Sequence, residues 1–284
     1  MTGKNLVIMT RTSNIYFLNK AKEVSKKMGI QLTVIEPSEV DLPLEKFMEK
    51  YPGRLPDPKK TIFWNRVAGT SYNDYDQLVA KNWQILGAEL LNSLNVHHHY
   101  RDKFHQYLHL KSLNLPLINT YYLPNMNLEM VNSNGPFVAK TLRGAKGKGV
   151  VKLEDKAALK DFLTLTSSMG DTRFIIQPFI EYQYEHRLLV LKGKVIGHFI
   201  KENSNEHWKH NLSNAQWKKA EKANERMLDI VEEINTLEQK FFYAIDFISK
   251  NDELTVLEVN MCPGIEGPDA ILEHSILENV LSVI

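Results

Sequence analysis

The pattern of apolar runs changes character part-way along this chain, and the change limits the folds open to it. In the first third, the strand-like runs NLVIMT (5–10), QLTVIEP (31–37) and TIFWNR (61–66) alternate with helical stretches. YFLNKAKEVSKKMG (16–29) reads as a helix closing at Gly29, because glycine accepts the left-handed conformation that ends many helices. SYNDYDQLVAKNWQILGA (71–88) carries Tyr75, Leu78, Val79, Ile85 and Leu86 on one helical face, behind candidate caps at Ser71 and Asn73. Strands alternating with helices predict a parallel-sheet α/β unit over residues 1–96.

Beyond that point strands come in pairs. A short helix, DKFHQYLHLKSLN (102–114), leads to PFVAKTLRGAKGKGVVKLED (136–155), two strand-like runs flanking a Gly/Lys-rich loop. KAALKDFLTLTSS (156–168) reads as a helix and TRFIIQPFI (172–180) as a strand. HRLLVLKG and KVIGHFIKE predict a hairpin turning at Lys192–Gly193, and FFYAIDFISK with ELTVLEVN another turning at Asn251–Asp252. A long helix is expected over about 214–235, with Trp217, Ala220, Met227, Val231 and Ile234 inward. Antiparallel hairpins with helices make the remainder α+β, divided here into a central unit (97–184) and a C-terminal one (185–284).

Composition excludes several classes. A formal charge of +1 over 284 residues leaves no Lys/Arg excess to neutralise a nucleic-acid backbone. No apolar run reaches the ~20 residues of a membrane span, and the apolar patch before Arg11 is too short for a signal-peptide core. The single cysteine, Cys262, rules out an internal disulfide framework and points to a cytoplasmic setting; it reads as a small packing residue with no activating partner. The HHHY run (97–100) lacks further ligands at metal spacing and reads as a solvated connector, not a zinc site.

Two places could carry chemistry. The loop LRGAKGKGVV is neither a Walker A loop nor a dinucleotide fingerprint, yet its backbone N–H groups with Lys146 and Lys148 could cradle a polyphosphate. A flexible hairpin tip is the open alternative. Lys140, inside the apolar run FVAKTL, is expensive to bury unless an anion accompanies it. At the end of the final strand, Glu258 and Asn260 are two residues apart and so share a face. The turn at Asn251–Asp252 would bring Asp246 opposite Glu258. Two carboxylates and an amide oxygen converging without a cation are costly, and such all-oxygen sets suit Mg²⁺ or Mn²⁺. A solvated strand end is the plainer alternative.

Together these segments resemble the ATP-grasp superfamily, and within it the RimK-like ligases that add amino acids to a peptide or protein end. The resemblance runs from near residue 5 to about 270. It rests on RDK (101–103), PFVAKTLRGAKGKGVV, the hinge IIQPFIEYQYEHR, the stretch KHNLSNA, and the pair AIDF and LEVNMCPGIEG. NRVAGTSY and TRTSN resemble the N-terminal substrate loops more weakly. The fold it implies is ATP-grasp: an N-terminal parallel-sheet domain, a small central α+β domain and a C-terminal antiparallel α+β domain.

Carried over residue by residue, the resemblance assigns Lys103 and Lys140 to ATP phosphates, beneath a loop including Gly144, Ala145, Lys146 and Gly147. Gln177, Pro178, Phe179 and Ile180 would frame adenine, Glu185 would meet the ribose, and Arg187 would stabilise the transferring phosphoryl group. Asp246, Glu258 and Asn260 would hold two Mg²⁺ or Mn²⁺ ions. For substrate carboxylates, Arg11, Arg66 and Lys209 are the candidate cations, with Asn211 beside them. The chemistry implied is carboxylate–amine ligation through an acyl phosphate, with an amino acid as one substrate and a carboxylate-bearing peptide, protein or small molecule as the other. Where glutamate ligases carry His-Arg and a glycine pair, this chain reads Ser213, Asn214, Ala215, offering fewer cationic donors for a glutamate side chain. A ligase joining two small molecules and a non-catalytic nucleotide-binding module are the competing readings. Neither nucleic acid nor membrane is an expected partner, and homo-oligomerisation is left open.

Overall fold

The computed structural model describes residues 5–11, 15–67, 74–144, 149–169, 174–203, 217–235, 242–272 and 274–283. Within them the chain begins with β1 (Asn5–Met9), α1 (Ile15–Lys27), β2 (Gln31–Ile35), α2 (Leu44–Lys50), β3 (Thr61–Asn65), α3 (Tyr75–Ile85) and β4 (Glu89–Leu91). The strands form a parallel sheet in the order β2-β1-β3-β4. Both faces of β1 are covered: Leu6 and Ile8 pack with Phe17, Ala21 and Val24 of α1, while Val7 and Met9 pack with Leu44, Val79 and Trp83. Burial on both sides explains why NLVIM is continuously apolar and not alternating. Helix α1 closes at Gly29, whose φ of +68° fits a glycine cap.

The chain continues through α4 (Leu94–Tyr100) and α5 (Lys103–Ser112) into β5 (Phe137–Thr141), β6 (Val150–Leu153), α6 (Lys156–Ser168) and β7 (Phe174–Pro178). These last strands make an antiparallel sheet ordered β6-β5-β7. Alternation along β5 sends Phe137 and Ala139 into a core with Leu159 and Leu163 of α6, and leaves Val138 and Lys140 on the other face.

The third sheet holds β8 (Tyr184–Leu191), β9 (Lys194–Glu202), β10 (Lys218–Lys219), then, after α7 (Glu225–Asn235), β11 (Phe242–Lys250) and β12 (Glu253–Asn260); α8 (Glu266–Leu272) and α9 (Ile276–Ser282) follow. Its order is β10-β9-β8-β11-β12. One face sends Leu188, Val190, Tyr243 and Ile245 against α7, α4 and α5. The other sends Leu189, Leu191, Phe242 and Ala244 against the first sheet, α1, α8 and α9. Both expected hairpin turns are present, with φ of 50° and 73° at Lys192 and Gly193, and 49° and 67° at Asn251 and Asp252. Positive φ at both central residues matches the twist of paired strands. No helix of the described residues is long and apolar enough to cross a membrane.

Three sequence expectations need correction. The helix expected from 214 begins only at Glu225 among the described residues, where Asn224 Oδ1 accepts the Met227 N–H at 2.9 Å as a cap. Lys218 and Lys219 instead pair with β9. Met227, Val231 and Ile234 are inward as expected. Helix α3 is rotated from its expected face: Asp76, Val79, Ala80 and Trp83 are buried, while Leu78 and Ile85 are 55% and 69% exposed. The cause is a charge pair. Asp76, 0% exposed, takes two hydrogen bonds from Arg101, at 2.5 Å from Nη1 and 2.8 Å from Nη2, and a third from Asn65 Nδ2 at 2.8 Å. The candidate caps Ser71 and Asn73 lie outside the described residues. Finally, HHHY forms helix α4, capped by Ser93, and buries His97 and Tyr100. It is not a solvated connector. Burial pushes the His97 pKa down to about 4, so the ring is neutral at physiological pH. Among the described residues no cluster of three or more His, Cys, Asp or Glu has metal-binding geometry.

Burial pushes the Asp76 carboxyl up, but hydrogen bonds from Arg101 and Asn65 and the Arg101 charge outweigh it and hold the group below its ordinary value. Stability from this pair is therefore present above the unfolded-state carboxylate pKa and lost as pH falls through the depressed folded value. Asp76→Ala leaves a buried arginine unpaired and is expected to cost about 3–5 kcal/mol in urea denaturation at pH 7. A loss under 1 kcal/mol would contradict the assignment.

Candidate functional site

The face of the large sheet that packs on the first sheet is dry at one end and charged at the other. At the charged end three side chains stand in one row: Asp246 of β11 lies opposite Arg187 of β8 and opposite Glu258 of β12. A β-bulge in β12 makes this possible. Asp246 pairs with Glu258 but the next residue, Phe247, pairs with Val256, so Leu257 is the extra residue. In an unbroken strand Val256 and Glu258 would share a face. With the bulge, Val256 enters the core beside Phe247 and Glu258 turns to Asp246.

Arg187 holds Asp246 by two bonds, Nε to Oδ1 at 2.6 Å and Nη2 to Oδ2 at 2.7 Å. The carboxylates therefore do not converge without a cation, as the sequence argument assumed. Asp246 raises the Arg187 pKa further, burial opposes it, and the guanidinium is permanently charged. Asn260 Oδ1 accepts the Cys262 N–H at 2.9 Å, closing the turn before Pro263. The donor set for a cation is all oxygen, two carboxylates and an amide on one face, which fits Mg²⁺ or Mn²⁺. Asp246 is the most committed of the three.

Across a cleft from Glu258 stand Lys140 of β5 and Lys103 at the start of α5, with Thr120, Gln177 and Leu257 also in its lining. Burial pushes the Lys140 ammonium down to about 8, with Glu258 pulling it up and Lys103 pressing it down further. It is a desolvated cation facing a carboxylate. Lys103 is fixed twice over: its backbone N–H donates to Leu142 O at 2.9 Å and its Nζ to Gly144 O at 3.2 Å. Three residues on, Gln106 donates to Val259 O at 2.7 Å and accepts the Val259 N–H at 2.9 Å. An amide side chain thus completes the edge of β12 as a neighbouring strand would, and clamps α5 to the strand bearing Glu258.

Gln177 donates from Nε2 to Thr120 Oγ1 at 2.8 Å, while its Oε1 is buried with no hydrogen-bond partner among the described residues. A buried acceptor without a protein partner can take a hydrogen bond from a water or a ligand. Of the other hinge residues, Pro178 ends β7, the Phe179 N–H is committed to Pro136 O at 2.8 Å, and Ile180 is exposed. Glu185, the expected ribose contact, is buried and bound to Lys201 Nζ at 2.7 Å. Burial raises its pKa and Lys201 works against that rise.

Arg11 follows β1 and is exposed; Arg66 follows β3. These two strands are adjacent although the chain leaves them in opposite directions, and such switch points are where open α/β sheets bind ligands. Arg66 lies in the loop after β3, as expected, but is buried. It is 9% exposed, stacks on Phe17 and Trp64 with ring centroids 4.1 and 4.8 Å away, and donates from Nη2 to Pro263 O at 2.9 Å. Its Nη1 is buried without a hydrogen-bond partner among the described residues. Ala145, Lys146, Gly147, Lys209 and Asn211 lie outside the described residues.

Sequence reasoning missed Trp217, expected to pack inside a helix. Its ring lies 5.5 Å from the Arg187 guanidinium and 4.8 Å from Lys201 Nζ, roofing the charged row. Lys201 and Gln106 were also missed. An alternating lysine and a helical glutamine carry no local signal of a partner 16 or 153 positions away.

Residues 102–284 match the family of RimK-like ATP-grasp domains. A probable alpha-L-glutamate ligase of Alkalilimnicola ehrlichii is 23% identical over 279 residues, covering 93% of this chain and 89% of its own. Among solved structures, the ATP-grasp ligase PsnB complexed with a minimal precursor superposes with a TM-score of 0.70 at 15% identity, over 99% of this chain and 98% of that one. D-alanine–D-alanine ligase of Bacillus anthracis, complexed with ATP, gives 0.67 at 17% identity over 99% and 96%.

The Lys140 environment yields a stability prediction. Its folded pKa of about 8 lies below the ordinary 10.5, so the unfolded chain binds more protons between those values and stability rises with pH across that window. Lys140→Met is expected to be more stable than the parent at pH 7, with the difference shrinking toward pH 10 in denaturant titrations. A variant less stable than the parent at pH 7 would contradict the desolvation.

Proposed function

Because the chain belongs to the RimK-like ATP-grasp family, we propose that it is an ATP-dependent ligase that joins a carboxylate to the amine of an amino acid, acting on a peptide or protein end. The carboxylate oxygen attacks the γ-phosphorus of ATP and ADP leaves, giving an acyl phosphate. The amine then attacks the acyl carbon, phosphate departs, and the amine's proton is lost to solvent or base. No nucleophilic side chain is required, so the protein's work is positioning and charge compensation.

The observation that carries this reading is the facing of desolvated Lys140 and Glu258 across one cleft, with Arg187 in the same row. Lys103 and Lys140 hold the phosphates, joined by the loop containing Gly144, Ala145, Lys146 and Gly147. Arg187 meets the transferring phosphoryl group. The open acceptor Gln177 Oε1 suits the exocyclic amine of adenine, held in the hinge formed with Pro178, Phe179 and Ile180. Glu185 reaches the ribose with the acceptor capacity that Lys201 leaves. Asp246, Glu258 and Asn260 would hold two Mg²⁺ or Mn²⁺ ions, which would neutralise charge on the phosphates. Nη1 of Arg66, at the sheet's switch point, is the natural partner for the substrate carboxylate, and Arg11, Lys209 and Asn211 are the further substrate candidates. Glutamate is the amino acid in the names of the curated relatives, but the Ser213-Asn214-Ala215 departure gives no reason to carry that amine over.

The test is a screen for ADP release with Mg²⁺ over amino acids and acidic peptides, with product mass determined. At least one pair is expected to stimulate ADP release and yield a product lighter by one water than the sum of its parts. Glu258→Gln is expected to lower turnover about 100-fold or more, the scale of losing one oriented charge-stabilising group. AMP as product, or turnover unaltered by that substitution, would overturn the proposal.

A further inference from the structure

Segments 101–103 and 142–144 are interlocked in a way the ligase chemistry does not itself require. The Lys103 backbone and ammonium bind Leu142 O and Gly144 O, on either side of Arg143. The Arg143 side chain turns away to Asp74, donating from Nη1 to Oδ1 at 2.7 Å and from Nη2 to Oδ2 at 3.3 Å. Asp74 Oδ1 also lies 3.4 Å from Arg101 Nε. Arg101 is anchored in the core: its side chain is 2% exposed and both its Nη groups are committed to Asp76, which Asn65 holds in turn at the end of β3. One carboxylate at the head of α3 is thus shared between two arginines, one anchored in the core and one in the strand end next to Gly144.

Asp74 caps nothing. It occupies the N-cap position of α3 without a side-chain cap bond, although an aspartate there ordinarily binds the first helical N–H groups. The side chain is directed instead to the two guanidiniums, with Gln77 Nε2 also donating to Oδ1 at 3.3 Å, and a bidentate arginine–carboxylate pair fixes direction as well as distance. We propose that Asp74 is a positioning residue for ATP: through Arg143 it holds the Leu142–Gly144 strand end against Lys103, so that the two phosphate-binding elements keep one geometry set by the N-terminal sheet. The inference rests on the assignment of Lys103 to the nucleotide.

Asp74 is half-exposed and an exposed ion pair contributes little to stability, so its removal separates positioning from folding. ATP binding is measured by calorimetry, with melting temperature, for the full-length parent, Asp74→Ala, Arg143→Ala, the double variant and Asp74→Glu. Each single alanine variant is expected to weaken ATP binding about ten-fold, and the double variant no further than either single one. Asp74→Glu is expected to recover most of the affinity, and melting temperatures to stay close to the parent's. In turnover, KM for ATP should rise while kcat at saturating ATP holds. Unchanged ATP affinity in Asp74→Ala overturns the proposal. So do losses that multiply in the double variant, or losses that track melting temperature across Asp74→Ala, Arg143→Ala and Asp74→Glu. A parent protein that fails to bind ATP overturns the nucleotide assignment itself, a distinct result.

Discussion

The bulge at Leu257 sets two neighbouring side chains of β12 to opposite faces of the sheet, and the site depends on that displacement. Val256 packs beside Phe247 while Glu258 faces Asp246 and Arg187. Were Leu257 paired in an unbroken register, Val256 and Glu258 would share a face, forcing a choice between a buried glutamate and a valine in the charged row. Gln106 then pins the strand just beyond the bulge to α5, fixing Lys103 with respect to Glu258. The bulge aims the carboxylate, and the glutamine sets the width of the cleft opposite it.

The charged row is tolerable because its members compensate one another. Arg187 meets Asp246, Lys201 meets Glu185, and Trp217 lies over both cations. Lys140 is the exception, pressed by burial toward neutrality. In a fold where the same sheet face packs Leu189, Leu191 and Ala244 against the N-terminal sheet, the boundary between dry and charged halves falls between Arg187 and Leu189. On the proposed function, the stability lost in keeping a desolvated lysine there is the cost of readiness to receive an anion.

Much of this was legible in the sequence where a local signal existed. The hairpin turns at Lys192–Gly193 and Asn251–Asp252 fixed which strands pair, but an unbroken register from the second turn would set Asp246 opposite Leu257, and Glu258 reaches it only through the bulge. The apolar surroundings of Lys140 showed its desolvation. What could not be read depends on partners far apart in the chain. The bulge adds a residue without altering composition. Asp76 turns α3 through Arg101, which no helical periodicity reveals, and Arg187 neutralises Asp246 from a strand 59 positions away. Trp217 looked like a core residue of a helix because its apolar ring is the same in either role; only the sheet beneath it distinguishes them.

The account's central claim is that Glu258 acts through a divalent cation on a nucleotide gripped from the other side by Lys140. The most direct measurement is the affinity of ADP with and without Mg²⁺, by calorimetry, for the parent and Glu258→Gln. The account predicts that Mg²⁺ tightens ADP binding to the parent, and that the substitution removes this increment while leaving metal-free affinity unchanged. An equal Mg²⁺ increment in both proteins would contradict it.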